Sequence, residues 1–424
     1  MKVVVFTTFT SSDNAYSLNN VVIDQLHMLK RGGYDPAVIV MEGFRPIGVY
    51  AEVELRFLKG STIGNDGTLP ENYLERVKET EDRLFELLKD ADICITHDII
   101  YQAAHLIYNL ASRQLVERLP KLKWLHWIHS ATSHNILCSK NEVRNLIKRP
   151  FPHGLICYPN SWDIPRVAQN YKYDLNKVKH VPHPIDVCDY LGFHPYTREL
   201  VDKYSMLEAD IIILYPIRLD RGKQVQMNIK TAAGIKRNNR SVRLVVADFH
   251  STGGDKVTYR NELKSMAITE GLNDFDVIFT SDFKPETKLS CPREMMRDLF
   301  LLSNVYIHPS VSETYSLTTQ EAALCGNLLI LNYDFPPMLS IYGPSALYYK
   351  FSSNVDVLSG LDGVTTTKYD NEKGYFDDLA MSIIYQVENN RVLAMKDKTR
   401  KERNIDTVFK KYLEPLFFGR FDEI

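Results

Sequence analysis

Short apolar runs alternate with amphipathic stretches from the start of the chain. Residues 3–7 form a β-branched run, and a polar loop over 10–14 follows it. Val21, Val22, Leu26 and Leu29 then recur on one side of a helix that Gly32-Gly33 stops. Residues 37–41 read as the next strand, and a strand, helix and strand in that order imply a parallel pair. After an irregular stretch the pattern predicts a helix near 71–89, a strand at 92–96, a helix near 101–119 and a strand at 124–128. A strand near 155–158 and a turn-rich segment over 180–186 close this half.

A charged, helix-like stretch near 196–204 leads to a second series. It predicts strands at 211–216, 242–247, 277–280, 305–308 and 328–331, with helices at 224–236, 261–270, 293–302 and 317–324 between them. The expected fold is α/β, with two Rossmann-like domains facing a central cleft. Their bounds are 1–204 and 205–395, and a C-terminal helix over 396–424, with Val408, Tyr412 and Leu413 on its apolar face, crosses back to the first domain. Ligands in such sheets belong at the carboxyl ends of the strands, where helix N-termini also point.

Composition narrows the function classes. At 44% hydrophobic and 25% charged residues, wholesale disorder is excluded. No apolar run approaches the ~20 residues that span a bilayer, so membrane insertion is not expected. Residues 1–6 meet polar Thr7 and Thr8 without the apolar core of a signal peptide, which points to the cytoplasm. Fifty-one basic side chains against 53 acidic ones leave −2, so any polyanionic partner must be held by a local patch. Cys94, Cys138, Cys157, Cys188, Cys291 and Cys325 are scattered without paired spacing; buried free thiols are expected, not zinc or disulfides.

The densest chemistry lies over 308–326. A strand ends at His308, a polar loop carries Glu313, and a helix begins near Ser316 with Glu321 one turn in. Backbone N–H groups at Ser316 and Leu317 suit a phosphate, and carboxylates beside it accept hydrogen bonds from sugar or ribose hydroxyls. Pro309, Ser310, Glu313, Glu321, Ala322 and Gly326 resemble, at matching separations, the E-x7-E segment of retaining GT-B glycosyltransferases. Tyr315-Ser316 stands where Phe-Gly is common in that family. The resemblance implies that Glu313 binds hydroxyls of the transferred sugar and that Glu321 binds the ribose of the nucleotide. Residues 215–223 look similar to the family's Gly-Arg-Leu…Lys-Gly segment, with Arg218 and Lys223 five apart after the first strand of the second half. These two would hold the diphosphate and stabilise the leaving group, so no metal or other cofactor is required beyond the nucleotide sugar, a UDP-sugar by default.

In the first half, the resemblance marks His129, at a strand end, for contact with donor sugar or acceptor. Ser11, Ser12 and Asn14 occupy the place of the family's acceptor loop. Ser139-Lys140-Asn141-Glu142 reads as a capping box opening a short helix that places Lys140, Arg144 and Lys148 on one basic face. The Phe335-Pro336-Pro337-Met338 segment is similar to bacteriophage-encoded members, some of which glycosylate hydroxymethylated bases of viral DNA. The expected activity is therefore retaining hexosyl transfer, with duplex DNA carrying hydroxymethylated pyrimidines the leading acceptor, in a host cytoplasm if phage-encoded. A soluble saccharide or protein acceptor, a nucleotide-sugar epimerase and a non-catalytic nucleotide-sugar sensor remain open alternatives.

Overall fold

The computed structural model describes residues 1–13, 15–66, 68–129, 145–249, 256–311, 313, 315–354, 364–366 and 368–419. The chain divides into two compact units: Met1–Asp186 with Glu402–Ile424, and Val187–Lys401.

Unit 1 is built on seven parallel strands: β1 (Lys2–Phe6), β2 (Asp35–Met41), β3 (Glu54–Leu58), β4 (Ile93–His97), β5 (Lys123–Trp127), β6 (Gly154–Tyr158) and β7 (Val178–His180). Their spatial order is β3-β2-β1-β4-β5-β6-β7. The central strands are buried along nearly their whole length, which is why they read as continuous apolar runs without alternation. Leu84, Leu106, Leu115 and Val167 come from three helices and cover one sheet face. Val22, Leu26 and Leu29 of the helix Ser17–Arg31 cover the other, together with Phe409, Leu413 and Phe417 near the end of the chain.

Unit 2 holds six parallel strands: β8 (Ile211–Arg218), β9 (Val242–Phe249), β10 (Val277–Phe279), β11 (Val305–His308), β12 (Leu328–Asn332) and β13 (Leu347–Tyr349). Their order is β10-β9-β8-β11-β12-β13. β8 pairs with β9 along its full length but with β11 only through Ile213 and Leu214. Pro216, which has no N–H for a ladder, lies just beyond that contact. The two central strands thus part toward their carboxyl ends.

Three expectations from the sequence are corrected. The unit boundary falls at 187, not 205, because the helix Pro195–Lys203 packs into unit 2. Its Leu200 and Val201 enter that core, and Asp298 accepts from His194 N at 2.6 Å and Thr197 Oγ1 at 2.8 Å. The single helix over 396–424 is instead two. Arg391–Glu402 stays in unit 2, where buried Arg400 donates to the carbonyls of Met206, Leu207 and Ala209 at 2.7–3.0 Å. Asn404 then breaks the helix and caps the next one, its Oδ1 accepting from Thr407 N at 2.9 Å. Elements also appear where none was expected. β3 escapes a period-two reading because Arg56 takes a buried position, paired to Asp90, while Phe57 is exposed. The helix Glu372–Asn389 lies so close to Gly234 that a Cβ there would strike the Phe376 carbonyl.

The terminal segment is anchored to unit 1 by polar and aromatic contacts. Arg31 grips Asp406 with two bonds of 2.9 and 2.7 Å. Tyr34 meets Phe409 and Phe417 edge-on at 5.6 and 5.3 Å, and the Phe409 ring sits where a Cβ on Gly32 would be. Phe409→Ala should destabilise unit 1 by about 3–5 kcal/mol, as cavity-forming aromatic truncations do. All three tryptophans, Trp124, Trp127 and Trp162, lie in unit 1, so urea unfolding followed by tryptophan fluorescence isolates that unit. An unchanged midpoint would show that the segment is not part of its core.

Candidate functional site

In a doubly wound sheet the crevice forms where the winding direction reverses, at the carboxyl ends of the two central strands. In unit 2 these are β8 and β11. Arg218 ends β8, the loop after it carries Lys223, and the loop after β11 carries Glu313. Val311 N donates to Gly222 O at 3.3 Å and joins the two loops. Above that joint Lys223 Nζ is paired with Glu313 Oε1, both side chains about four-fifths buried (17% and 22% exposed). The Tyr215 hydroxyl donates to Lys223 O at 2.6 Å from below. Arg218 lies at the exposed rim, its Nε donating to Asp220 Oδ2 at 2.6 Å, and Asp220 also takes Lys256.

Beneath the pair lies a residue the sequence did not single out for chemistry. His308 is fully buried, and burial, with Lys223 nearby, pushes its pKa down to about 3. The ring is therefore neutral. Its Nδ1 lies 3.2 Å from the Tyr306 hydroxyl, while Nε2 stops 3.7 Å from Glu313 Oε1. Asn332, at the end of β12, is the other unforeseen support: its Nδ2 donates to Ser310 O at 3.2 Å and ties down the loop that carries Glu313.

The helix Leu317–Leu324 opens from Ser316, whose backbone is left-handed at φ 62°. Glycine adopts that conformation without strain; serine is held in it by Oγ contact with Thr319 Oγ1 at 2.8 Å and by the Tyr342 hydroxyl donating to Ser316 O at 3.2 Å. Tyr342 comes from the helix Pro336–Tyr342, so the Phe335–Met338 segment serves to brace this helix start. The first N–H groups of a helix have no intrahelical partner and present partial positive charge. Glu321, exposed a turn later, lines a cavity of about 360 Å³ with Arg293, Arg297 and Cys325. Gly326 ends the helix in the left-handed region at φ 74°.

In unit 1 the reversal falls between β1 and β4. Here three histidine rings stack: His97 on His129 at 5.3 Å, and His129 on His183 at 5.2 Å. His97 Nε2 lies 3.0 Å from Gln25 Oε1, which only accepts, so His97 Nδ1 accepts from His129 Nε2, also at 3.0 Å. His129 thereby presents Nδ1 as an acceptor. Asp98, left-handed at φ 59°, receives His129 N at 3.2 Å and Gln102 Nε2 at 3.0 Å. His97 and His183 were not anticipated; their positions at a strand end and after β7 gave no spacing signal. Among the described residues no three or more His, Cys, Asp or Glu are arranged to hold a metal ion. Five cysteines are free thiols, and Cys138 lies outside the described residues.

The structure thus brings Lys223 together with Glu313 and sets Arg218 and Ser316–Leu317 on the same carboxyl edge of unit 2. Ser11 and Ser12 lie in the loop after β1, with Ser12 Oγ donating to Arg45 O at 3.3 Å. Asn14, Lys140 and Arg144 lie outside the described residues. Lys148 is described and lies close before the amino end of β6, whereas His129 stands at the carboxyl end of β5.

Two parallel, doubly wound units, with a terminal segment returning to the first, define the GT-B class of fold. Residues 197–344 match the family described as Glycosyl transferases group 1. No curated protein matches the chain. Among solved structures the chain is similar to a glycosyltransferase from Rickettsia africae, at 14% identity and TM-score 0.34 over 98% of this chain and 97% of that one. It is also similar to HepE of Anabaena in complex with UDP-glucose, at 13% identity and TM-score 0.34 over 98% and 99%. A structure from E. coli described as trehalose-6-phosphate bound with UDP-2-fluoro glucose aligns at 12% identity and TM-score 0.37 over 99% and 100%. No helix among the described residues is long and apolar enough to cross a membrane.

The histidine stack has a consequence for stability. Burial first, and neighbouring His183 second, lower His129 to about 3; burial lowers His183 to about 4 and His97 well below its usual value. The unfolded chain takes up protons below pH 6.5 while the folded rings do not, so stability present above 6.5 is lost as pH falls toward 4. Asp98 acts oppositely: burial raises it to about 6, so its contribution is present below pH 3.8 and lost as pH rises through 6. At pH 5 each of His129 and His183 should cost about 2 kcal/mol, partly offset by Asp98. Tryptophan-detected urea unfolding should therefore show lower stability at pH 5.0 than at 7.5, with a smaller drop in His183→Gln. Equal drops in both proteins would refute the account.

Proposed function

We propose that the protein is a retaining hexosyltransferase that moves glucose or a related hexose from a UDP-sugar to an acceptor hydroxyl. The observation that carries this reading is the Lys223–Glu313 pair at the winding reversal of a unit that matches the glycosyl transferases group 1 family. A lysine and a carboxylate there divide the work by charge. Lys223 brings a cation for a phosphate oxygen beside Glu313, and Arg218 at the rim has a guanidinium suited to the second phosphate. The Leu317 amide and the helix start that Ser316 caps add donors aimed at the same anion. Negative charge growing on the departing diphosphate is thus met by fixed cations and N–H groups. Glu313 accepts from hydroxyls of the transferred sugar, and Glu321 from the ribose. His129, with Nδ1 unprotonated, accepts from a sugar or acceptor hydroxyl, and Ser11, Ser12 and Asn14 take part on the acceptor side.

Lys223→Ala and Glu313→Ala should each lower transfer from UDP-glucose by about 100-fold or more while retaining cooperative unfolding. Product NMR should show the donor's α-configuration kept at the anomeric carbon. Wild-type rates in either variant, or a β-linked product, would defeat the assignment. An epimerised UDP-sugar formed without acceptor would support an isomerase, and tight binding without turnover a sensor.

For the acceptor we propose duplex DNA bearing hydroxymethylated pyrimidines, supported by the basic stretch around Lys140, Arg144 and Lys148 and by the phage-like Phe335–Met338 segment. The target base would be flipped out, at a cost of a few kcal/mol. Incubation with UDP-glucose, digestion to nucleosides and mass spectrometry should reveal a hexose adduct on hydroxymethylated DNA and none on plain DNA. Transfer to a small saccharide or protein with no base adduct would remove DNA as acceptor and leave the transferase assignment standing.

A further inference from the structure

At the amino ends of β6 and β7, on the edge of the unit 1 sheet away from the histidine stack, lies a cavity of about 440 Å³. Its walls carry Arg113, Arg149, His153, Lys172 and Lys177 against two carboxylates, Glu117 and Asp174. None of Arg113, Arg149, Lys172 and Lys177 forms an ion pair among the described residues. The contrast is sharpest on one helix, Leu106–Arg118: Arg118 is paired with Glu81 and Asp82 at 2.9 and 2.8 Å, while Arg113 has no acidic partner.

Arg113 is nevertheless fixed in place. Its Nε donates to Asn109 Oδ1 at 2.6 Å, Nη1 to Pro150 O at 2.7 Å and Nη2 to Arg149 O at 2.6 Å, and the guanidinium lies over the Phe151 ring at 5.1 Å. Three of its five N–H groups are thus spent on neutral acceptors, and among the described residues no acidic side chain pairs with the charge. Burial, with Arg149 adding to it, lowers the Arg113 pKa to about 10. A largely desolvated cation without a counter-charge is costly, and this one is held rigid by its surroundings.

Two of the walls rest on strained backbone. His153 at φ 53° and Lys172 at φ 54° both sit in the left-handed region without being glycine. Lys172 is the cap that ends the helix Ile164–Tyr171, a position where glycine is the unstrained choice. Buried Tyr173, beside it, accepts from Phe151 N at 2.8 Å and closes the floor. Strain retained at two polar positions around one concavity points to a use for their side chains.

We infer that this cavity is an anion site for a phosphate or sulfate group carried on a small molecule, separate from the sugar-transfer residues. A fixed guanidinium beside two mobile ammonium groups suits tetrahedral oxyanions. A concavity, as opposed to a linear basic stripe, suits an end group more than a polymer backbone.

The test uses the full chain at constant ionic strength. Inorganic phosphate and inorganic sulfate are titrated calorimetrically, with chloride as the control. Saturable binding of one or both is expected, and the arm that binds more tightly names the ester class. The double variant Lys172→Ala/Lys177→Ala, and separately Arg149→Ala, should weaken it by about tenfold or more, while Lys172→Arg/Lys177→Arg retains it. UDP-glucose binding should not change in any of them, so a failed transferase assignment and a failed anion site remain distinguishable. Heat that chloride reproduces, or equal binding in wild type and the alanine variants, would overturn the proposal. So would variants that weaken only duplex DNA, which would make this a polymer-binding surface.

Discussion

A parallel sheet wound outward in both directions from a central pair of strands leaves one place where neighbouring crossovers depart to opposite sides. At that place the two loops following the central strands cannot be covered by a crossover helix, and whatever they carry faces a common crevice. Both units of this protein are governed by that constraint. In unit 2 it sets the loop after β8 against the loop after β11, and the brief β8–β11 pairing, which ends before Pro216, widens the gap. Residues 90 positions apart in sequence, Lys223 and Glu313, meet because the winding reverses there. In unit 1 the same reversal sets the loop after β1 beside His97 and Asp98 at the end of β4.

The two crevices differ in how charge is treated. Unit 2 keeps its charges: Lys223 and Glu313 neutralise one another, Arg218 and Lys256 share Asp220, and Arg218 at the rim is exposed. Unit 1 suppresses charge. Its stacked histidines are largely buried and neutral, His97 and His129 joined by a hydrogen-bond chain that begins at Gln25, and Asp98 is raised by the same desolvation. Neutral stacked rings present hydrogen-bond acceptors without an electric field, which suits hydroxyl groups; fixed cations suit phosphates.

How much of this was legible in the sequence can be judged from particular residues. The strand and helix order of both units was readable because buried parallel strands are apolar throughout and the connecting helices are amphipathic. β3 was not, since Arg56 is buried through Asp90, a partner distant in sequence. The break at Asn404 was hidden because the apolar positions on either side keep a helical rhythm, and the cap that interrupts it is a single side chain. Lys223 and Glu313 were singled out through the resemblance to a family, yet their direct pairing was not foreseen, because it depends on strand order. His97, His183, His308 and Asn332 escaped for the same reason: each acquires its role from a neighbour across the sheet.

The Lys223–Glu313 pair also determines how substitutions there must be interpreted. Removing either partner does more than delete one contact with a ligand. It leaves the other charge largely buried without the partner that neutralised it, beside a His308 whose Nε2 stops 3.7 Å from Glu313 Oε1. Breaking such a pair costs about 3–5 kcal/mol when fully buried, and less at this partial exposure. Turnover lost in Lys223→Ala therefore reports the broken pair as well as any missing ligand contact. The double variant removes both charges together, so comparing it with the two single variants separates these effects. Asn332, by donating to Ser310 O, ties the loop that carries Glu313 to the end of β12.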